Sequence, residues 1–180
     1  MLDDETRIRL IIKKILTEYK KGLLNKEKIL VVFPYPWKNS YYLLEEYLSN
    51  ENYDLSALVS DDVPEKNFAD LRENDLFSEV ISYKDVDKIN DKFKKVLFGS
   101  LSVDDIVDIT LLKSNSIETN IIKKSFKAGI SIAIWINGLE KLTEKEPDYY
   151  KEKLKGYYEE ILKMNIKILD NKAVRKWAIH

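Results

Sequence analysis

The chain has 180 residues, 44% hydrophobic and 34% charged, with 30 basic and 31 acidic residues for a formal net charge of −1. This suits one soluble globular domain with room for a core, and the even charge balance excludes general binding to a polyanion such as nucleic acid. No cysteine occurs and the one histidine is His180, which excludes disulfides, thiolate metal sites and cysteine nucleophiles and leaves histidine chemistry only at the chain end.

Residues 3–21 are predicted to form an amphipathic helix. Ile8, Ile11, Ile12, Ile15 and Tyr19 recur at helical spacing on one apolar stripe. Asp3, Asp4 and Glu5 at the start and Lys20 and Lys21 at the end suit the helix dipole, and Gly22 is the stop. No apolar run reaches membrane-spanning length, and no signal-peptide block follows the acidic start, so a cytoplasmic protein without membrane partners is expected.

The period then changes. Ile29-Leu30-Val31-Val32-Phe33 is a continuous apolar run of the kind found in a strand buried on both faces. The loop Pro34-Tyr35-Pro36-Trp37-Lys38 follows, and Asn39 or Ser40 is placed to cap a helix bearing Leu43, Leu44, Tyr47 and Leu48. Further strands are predicted at Leu55–Val59, Phe77–Ser82, Lys95–Phe98, Ile130–Ile136 and, shorter, Ile166–Leu169. Pro64 opens a short helical stretch, and Asp85–Phe93 has room for a helical turn or two.

Ser102-Val103-Asp104-Asp105 has capping-box spacing with Asp in place of Glu. The helix after it carries Ile106, Ile109 and Leu112. Another runs over Ile117–Ala128 with Ile121, Ile122 and Phe126 inward, ending at Gly129. Thr143 to Glu146 repeats the capping-box spacing before a long charged helix reaching about Met164, with Leu154, Tyr157, Tyr158 and Ile161 on its buried side. Ala173–Ile179 is a short tail. Strands alternating with helices predict an α/β fold: a three-layer, Rossmann-like parallel sheet of 5–6 strands at residues 28–180, preceded by the separate helix at 1–22.

An open parallel sheet binds ligands beyond the carboxyl ends of its strands, where strand order reverses. In a 3-2-1-4-5 order the first and fourth strands flank that point. The candidate contacts are therefore Pro34, Trp37 and Ser40 after the first strand, and Gly99, Ser100 and Ser102 after the fourth, where free amides at a helix start can hold an anion. Trp135 and Asn137 follow from the fifth. Each also has an ordinary reading: Ser102 as a helix cap, Asn137-Gly138 as a turn, and Pro34–Trp37 as closure of the sheet's end. Asp104 and Asp105 in the same first turn would repel a phosphate. The five glycines lie far apart, so neither GxGxxG nor GxxxxGK[ST] occurs. No catalytic residue and no metal ligand is assigned.

From about Lys28 to Leu169 the layout resembles the FMN-dependent cysteine decarboxylase-like flavoproteins. The stretch from Gly99-Ser-Leu-Ser-Val-Asp-Asp-Ile-Val-Asp-Ile through Ser125-Phe-Lys-Ala-Gly-Ile-Ser-Ile-Ala-Ile carries the likeness. The leading helix and the turn Asn137-Gly138-Leu139-Glu140 look most like a flavoprotein-like branch associated with ethanolamine-utilisation microcompartments. That resemblance implies FMN as a cofactor, homo-oligomers, and shell or cargo proteins as partners of residues 1–22 inside a bacterial microcompartment. The family's enzymes use a histidine, which this domain lacks, and their small-residue loop has Asn where Asp104 stands here. The implied function is thus a non-catalytic, flavoprotein-like component, with a flavin or nucleotide as its candidate ligand. The alternatives are an FMN-dependent oxidoreductase or decarboxylase-like enzyme, and a protein-binding assembly module.

Overall fold

The computed structural model describes Ile12 and residues 26–49, 53–88 and 92–179. The predicted helix at 1–22 and the terminal His180 lie outside these residues, except for Ile12, which is helical and half exposed.

Six strands form one sheet: β1 (Glu27–Phe33), β2 (Tyr53–Val59), β3 (Phe77–Ser82), β4 (Lys95–Phe98), β5 (Ser131–Trp135) and β6 (Lys167–Leu169). Their spatial order is β3-β2-β1-β4-β5-β6 and every pairing is parallel. The order reverses between β1 and β4, which run in register from Ile29 opposite Lys95 to Val32 opposite Phe98. The predicted switch point is therefore present.

The central strands read as unbroken apolar runs because both faces are covered. Ile29, Val31 and Phe33 point into one core, with α1 (Tyr41–Leu48), α2 (Glu65–Glu73) and α6 (Asn171–Ile179) packed over it. Leu30 and Val32 point into the other, under α3 (Val103–Thr110), α4 (Ile117–Ala128) and α5 (Asp148–Lys163). The result is the expected three-layer α/β architecture with a Rossmann-like sheet. The β3-to-β4 crossover differs from the others, because a 3-10 helix, Tyr83–Lys88, stands where they carry α-helices.

Several local expectations are corrected. Leu112 is not on the buried side of α3. The helix stops at Thr110, and Leu112 takes φ 57° and is 72% exposed. The Lys113 amide reaches the Asp108 carbonyl at 2.8 Å while the Leu112 amide reaches that of Ile109 at 3.0 Å, so Leu112 fills the left-handed position that ends a helix and usually belongs to glycine. Gly129 at φ 66° and Asn165 at φ 64° end α4 and α5 in the same way. Phe126, expected inward, is 40% exposed. Ser40 occupies the N-cap position of α1 but makes no side-chain cap bond, because its backbone is already helical at φ −74°, ψ −8°. Thr143 does donate its amide and its hydroxyl to the Glu146 carboxylate, at 3.0 and 2.8 Å, yet this closes a turn ahead of α5, whose N-cap is Pro147.

Candidate functional site

Three loops meet beyond the carboxyl ends of β1, β4 and β5, and they are bonded to one another. From the first loop, the Lys38 ammonium donates to the Gly138 carbonyl at 2.6 Å. From the start of α1, the Tyr41 hydroxyl lies 2.6 Å from the Ser100 hydroxyl. Gly138 packs directly on the β4 loop: a Cβ there would lie 1.8 Å from the Gly99 carbonyl oxygen and 2.7 Å from Ser100 Cα. Gly99 is itself confined, since its amide donates to Val32 at 2.8 Å and a Cβ would touch the Tyr41 ring at 3.0 Å.

The start of α3 is occupied by its own side chains. The Asp105 amide donates to the Ser102 hydroxyl at 3.0 Å, and that hydroxyl donates to the Asp105 carboxylate at 2.6 Å. The Ser102 amide turns toward the same carboxylate at 3.3 Å. The other Asp105 oxygen accepts the Ser116 hydroxyl at 2.7 Å, which ties α3 to α4. The Asp105 carboxylate thus completes a capping box and sets a negative charge at the start of α3, which opposes an external anion there.

The aromatic groups are packing elements. Trp37 stands edge-on to Tyr41, with centroids 5.0 Å apart, and 5.7 Å from Phe33. Trp135 has no accessible surface, and its indole nitrogen donates to Asn171 at 2.8 Å. The Asn137 amide donates to the same Asn171 oxygen at 3.1 Å, so the first residue of α6 holds the β5 loop. Pro34 is buried, while Trp37, Ser40 and Asn137 keep partial exposure.

Of the eight expected contacts, the structure brings Gly99, Ser100 and Trp37 around Tyr41 and sets Ser102 at the adjacent helix start. Trp135, expected to face a ligand, is instead a wholly buried side chain of the core beneath. Sequence reading missed Lys38, Tyr41, Asp105 as an internal ligand, and Asn171. Of these only Asp105 carried a sequence signal, through the capping-box spacing.

Burial pushes the Tyr41 phenol above its ordinary value, opposed by the Ser100 bond. Burial, followed by the nearby Glu118 carboxylate, pushes Tyr83 higher still, and its hydroxyl donates to Glu118 at 2.8 Å. Burial lowers Lys38, with Glu140 acting in the opposite sense. Among the described residues no cluster of three or more His, Cys, Asp or Glu side chains could hold a metal ion, and no helix is long and apolar enough to cross a membrane. A phosphorylated flavin does not fit the donors as arranged, since Ser100 and Ser102 already have internal partners and Asp105 supplies negative charge. Binding one here requires those contacts to be released.

No family model matches the chain, and no curated protein matches it in sequence. The fold, by contrast, is similar to that of several solved structures. Peptidyl-cysteine decarboxylase EpiD aligns with 10% identity and a TM-score of 0.55, over 86% of this chain and 99% of that one. Burkholderia xenovorans DmrB in complex with FMN, described as a cubic protein cage for redox transfer, aligns with 10% identity and a TM-score of 0.56, over 81% and 89%. A PPC decarboxylase mutant complexed with pantothenoylaminoethenethiol aligns with 11% identity and a TM-score of 0.55, over 81% and 82%. The chain therefore shares a fold with these proteins, a parallel α/β sheet flanked by helices.

Proposed function

We propose that this chain is a non-catalytic, flavoprotein-like component whose switch-point crevice is held shut by its own groups. The observation that carries this reading is the Asp105 carboxylate on Ser102 and Ser116, which takes up both hydroxyls and sets a negative charge at the helix start. The locked phenols and the lack of any histidine before His180 support it, because neither the buried phenols nor the loops around them place an imidazole at the crevice. Titration with FMN, followed by fluorescence quenching and thermal shift together, is expected to show no saturable low-micromolar binding. Saturable binding would overturn the reading.

The second reading is an FMN-dependent enzyme, and the FMN-bound and decarboxylase neighbours favour it. On that reading, flavin binding opens the Tyr41–Ser100 and Lys38–Gly138 contacts, and the cofactor supplies the chemistry. Homo-oligomerisation belongs with either reading, supported by the cage described for DmrB. The association with ethanolamine-utilisation microcompartments is supported by the sequence resemblance and by the stripe on residues 1–22. Co-purification of the full chain with shell proteins, lost when that stripe is made polar, is the expected result.

A further inference from the structure

The helix α6 is held at both of its ends by residues of the sheet. At its first residue, the Asn171 side-chain oxygen accepts from the Trp135 indole at 2.8 Å and from the Asn137 amide at 3.1 Å. Near its other end, Trp177 donates its indole N–H to the Ser131 hydroxyl at 3.2 Å. The first and last residues of β5 are thus both bonded to this one helix. Lys95, at the start of β4, adds a further contact: its ammonium donates to the Ala178 carbonyl at 3.2 Å, pairs with Glu27, and lies 5.8 Å from the Trp177 ring. That lysine is buried, at 6% exposure.

We propose that α6 is a strap that keeps the carboxyl-end crevice closed, and that its hold depends on the Glu27–Lys95 pair at the opposite end of the sheet. The contacts are continuous. Asn171 fixes Asn137, and the next residue, Gly138, packs on Gly99 and Ser100 and accepts the Lys38 ammonium. The loop that covers Ser100 is therefore anchored from α6. At the far end, the Ala178 carbonyl is one of the last four of a helix, which have no partner within it. Lys95 satisfies that carbonyl, and Glu27 offsets the cost of burying the ammonium. A helix moves as a stiff rod, so loosening at Ala178 reaches Asn171.

The strap is weak enough to release. Its buried side chains are Val174, Trp177 and Ala178, far fewer than a central strand and its neighbours bury. Lys172, Arg175 and Lys176 are exposed, and the helix carries no acid among its residues. Like charges three and four residues apart lie on one helix face and destabilise it. Such an element detaches at less than the free energy of global unfolding. The inference rests on the reading of the crevice as closed and adds what holds it so. It bears equally on the enzyme reading, because a flavin would enter only after α6 lets the β5 loop go.

The test uses the full chain, which has no native cysteine. Ser100→Cys places a thiol under the β5 loop, and Ser56→Cys, buried in the middle of β2, reports opening of the whole domain. Each is labelled with a small maleimide without denaturant. Adding Asn171→Ala should speed labelling at position 100 about tenfold. Adding Lys95→Met, which keeps the stem and drops the charge, should speed it about fivefold. Trp177→Phe loses the bond to Ser131 but keeps a ring in the core, and tests the same far end more mildly, with about a threefold rise expected. Asn171→Asp keeps the accepting oxygen and should leave the rate slow. Labelling at position 56 should not change in any of them. No acceleration at 100, acceleration by Asn171→Ala alone, equal acceleration at 56, or a rise with Asn171→Asp as large as with Asn171→Ala would each overturn the strap. A thiol at 100 that reacts as fast as free cysteine in the otherwise unaltered chain would remove the closed crevice itself, and the strap with it.

Discussion

The two ends of the sheet are built from opposite materials. At the carboxyl end, loops rich in polar groups are knitted together: Lys38 on Gly138, Tyr41 on Ser100, and Asp105 on Ser102 and Ser116. At the amino end, Leu30, Phe93, Val96 and Ile121 border an apolar space of about 360 Å³. Parallel α/β sheets usually place their chemistry at the carboxyl end, where strand ends diverge and helix N-termini point at a ligand. Here those groups satisfy one another, while an apolar cavity opens at the other end. A fold can keep its switch point and still use the polar groups there for cohesion, so the location of a site does not follow from topology alone.

Gly138→Ala should break this contrast most strongly. The added methyl group would meet the Gly99 carbonyl at 1.8 Å, and backbone contacts cannot yield as side chains do. The expected loss is about 3 kcal/mol in urea unfolding. An unchanged midpoint would show that the carboxyl end is looser than described.

Alkaline pH should act on the same end. Tyr41 and Tyr83 keep their protons in the folded state above the ordinary phenol value. The unfolded chain releases them near pH 10, so the folded state binds more protons above that pH. Stability is fully present below pH 10 and falls as pH rises further, by about 1.4 kcal/mol per phenol at pH 11. The depressed Lys38 acts with the opposite sign, adding stability as pH rises toward its ordinary value. Unfolding measured at pH 9 and pH 11 should show the fall, to which Tyr53 and Tyr158, also raised by burial, contribute, and Tyr83→Phe should lessen it by about 1.4 kcal/mol. Identical pH dependence in wild type and variant would separate Tyr83 from the effect.

Asp105→Ala sharpens the comparison at the helix start. It should cost about 1 kcal/mol through the lost capping box. If the carboxylate is what excludes an anion, FMN binding should improve at least tenfold over wild type. A stability loss with no gain in flavin affinity would assign closure to the Lys38–Gly138 and Tyr41–Ser100 contacts instead.

The smallest expected effect lies at the end of α3. Leu112→Gly removes the steric cost of a left-handed non-glycine residue while loosening the unfolded chain. A net gain of about 0.5 kcal/mol is expected in urea unfolding. A loss would mean that the exposed leucine makes contacts worth more than its backbone cost.

Much of the fold was legible because burial on two faces leaves a local mark. Ile29–Phe33 and Lys95–Phe98 read as strands without reference to anything distant, and Gly129 announced the end of α4. The Ser102–Asp105 box was equally local. Leu112 misled because helical periodicity continues in sequence after the hydrogen bonds have stopped, and Phe126 misled because an apolar residue at the right spacing can still lie at the edge of a packed face.

The candidate site was only half legible. Topology rules located its loops, and residue types suggested an anion-binding start to α3. The pairing of those groups was hidden, since Lys38 and Gly138 are 100 residues apart, Tyr41 and Ser100 are 59 apart, and Asn171 reaches back 34 residues to Asn137. By itself, the sequence determined the strands, most helix ends, the switch point between β1 and β4, the absence of cysteine and the confinement of histidine to position 180. These depend on side-chain character at nearby positions. Only the tertiary structure decided that the carboxyl-end donors are already occupied, that Trp135 is core, and that an apolar cavity opens at the amino end. Those outcomes depend on which distant groups the closed sheet brings within hydrogen-bonding reach.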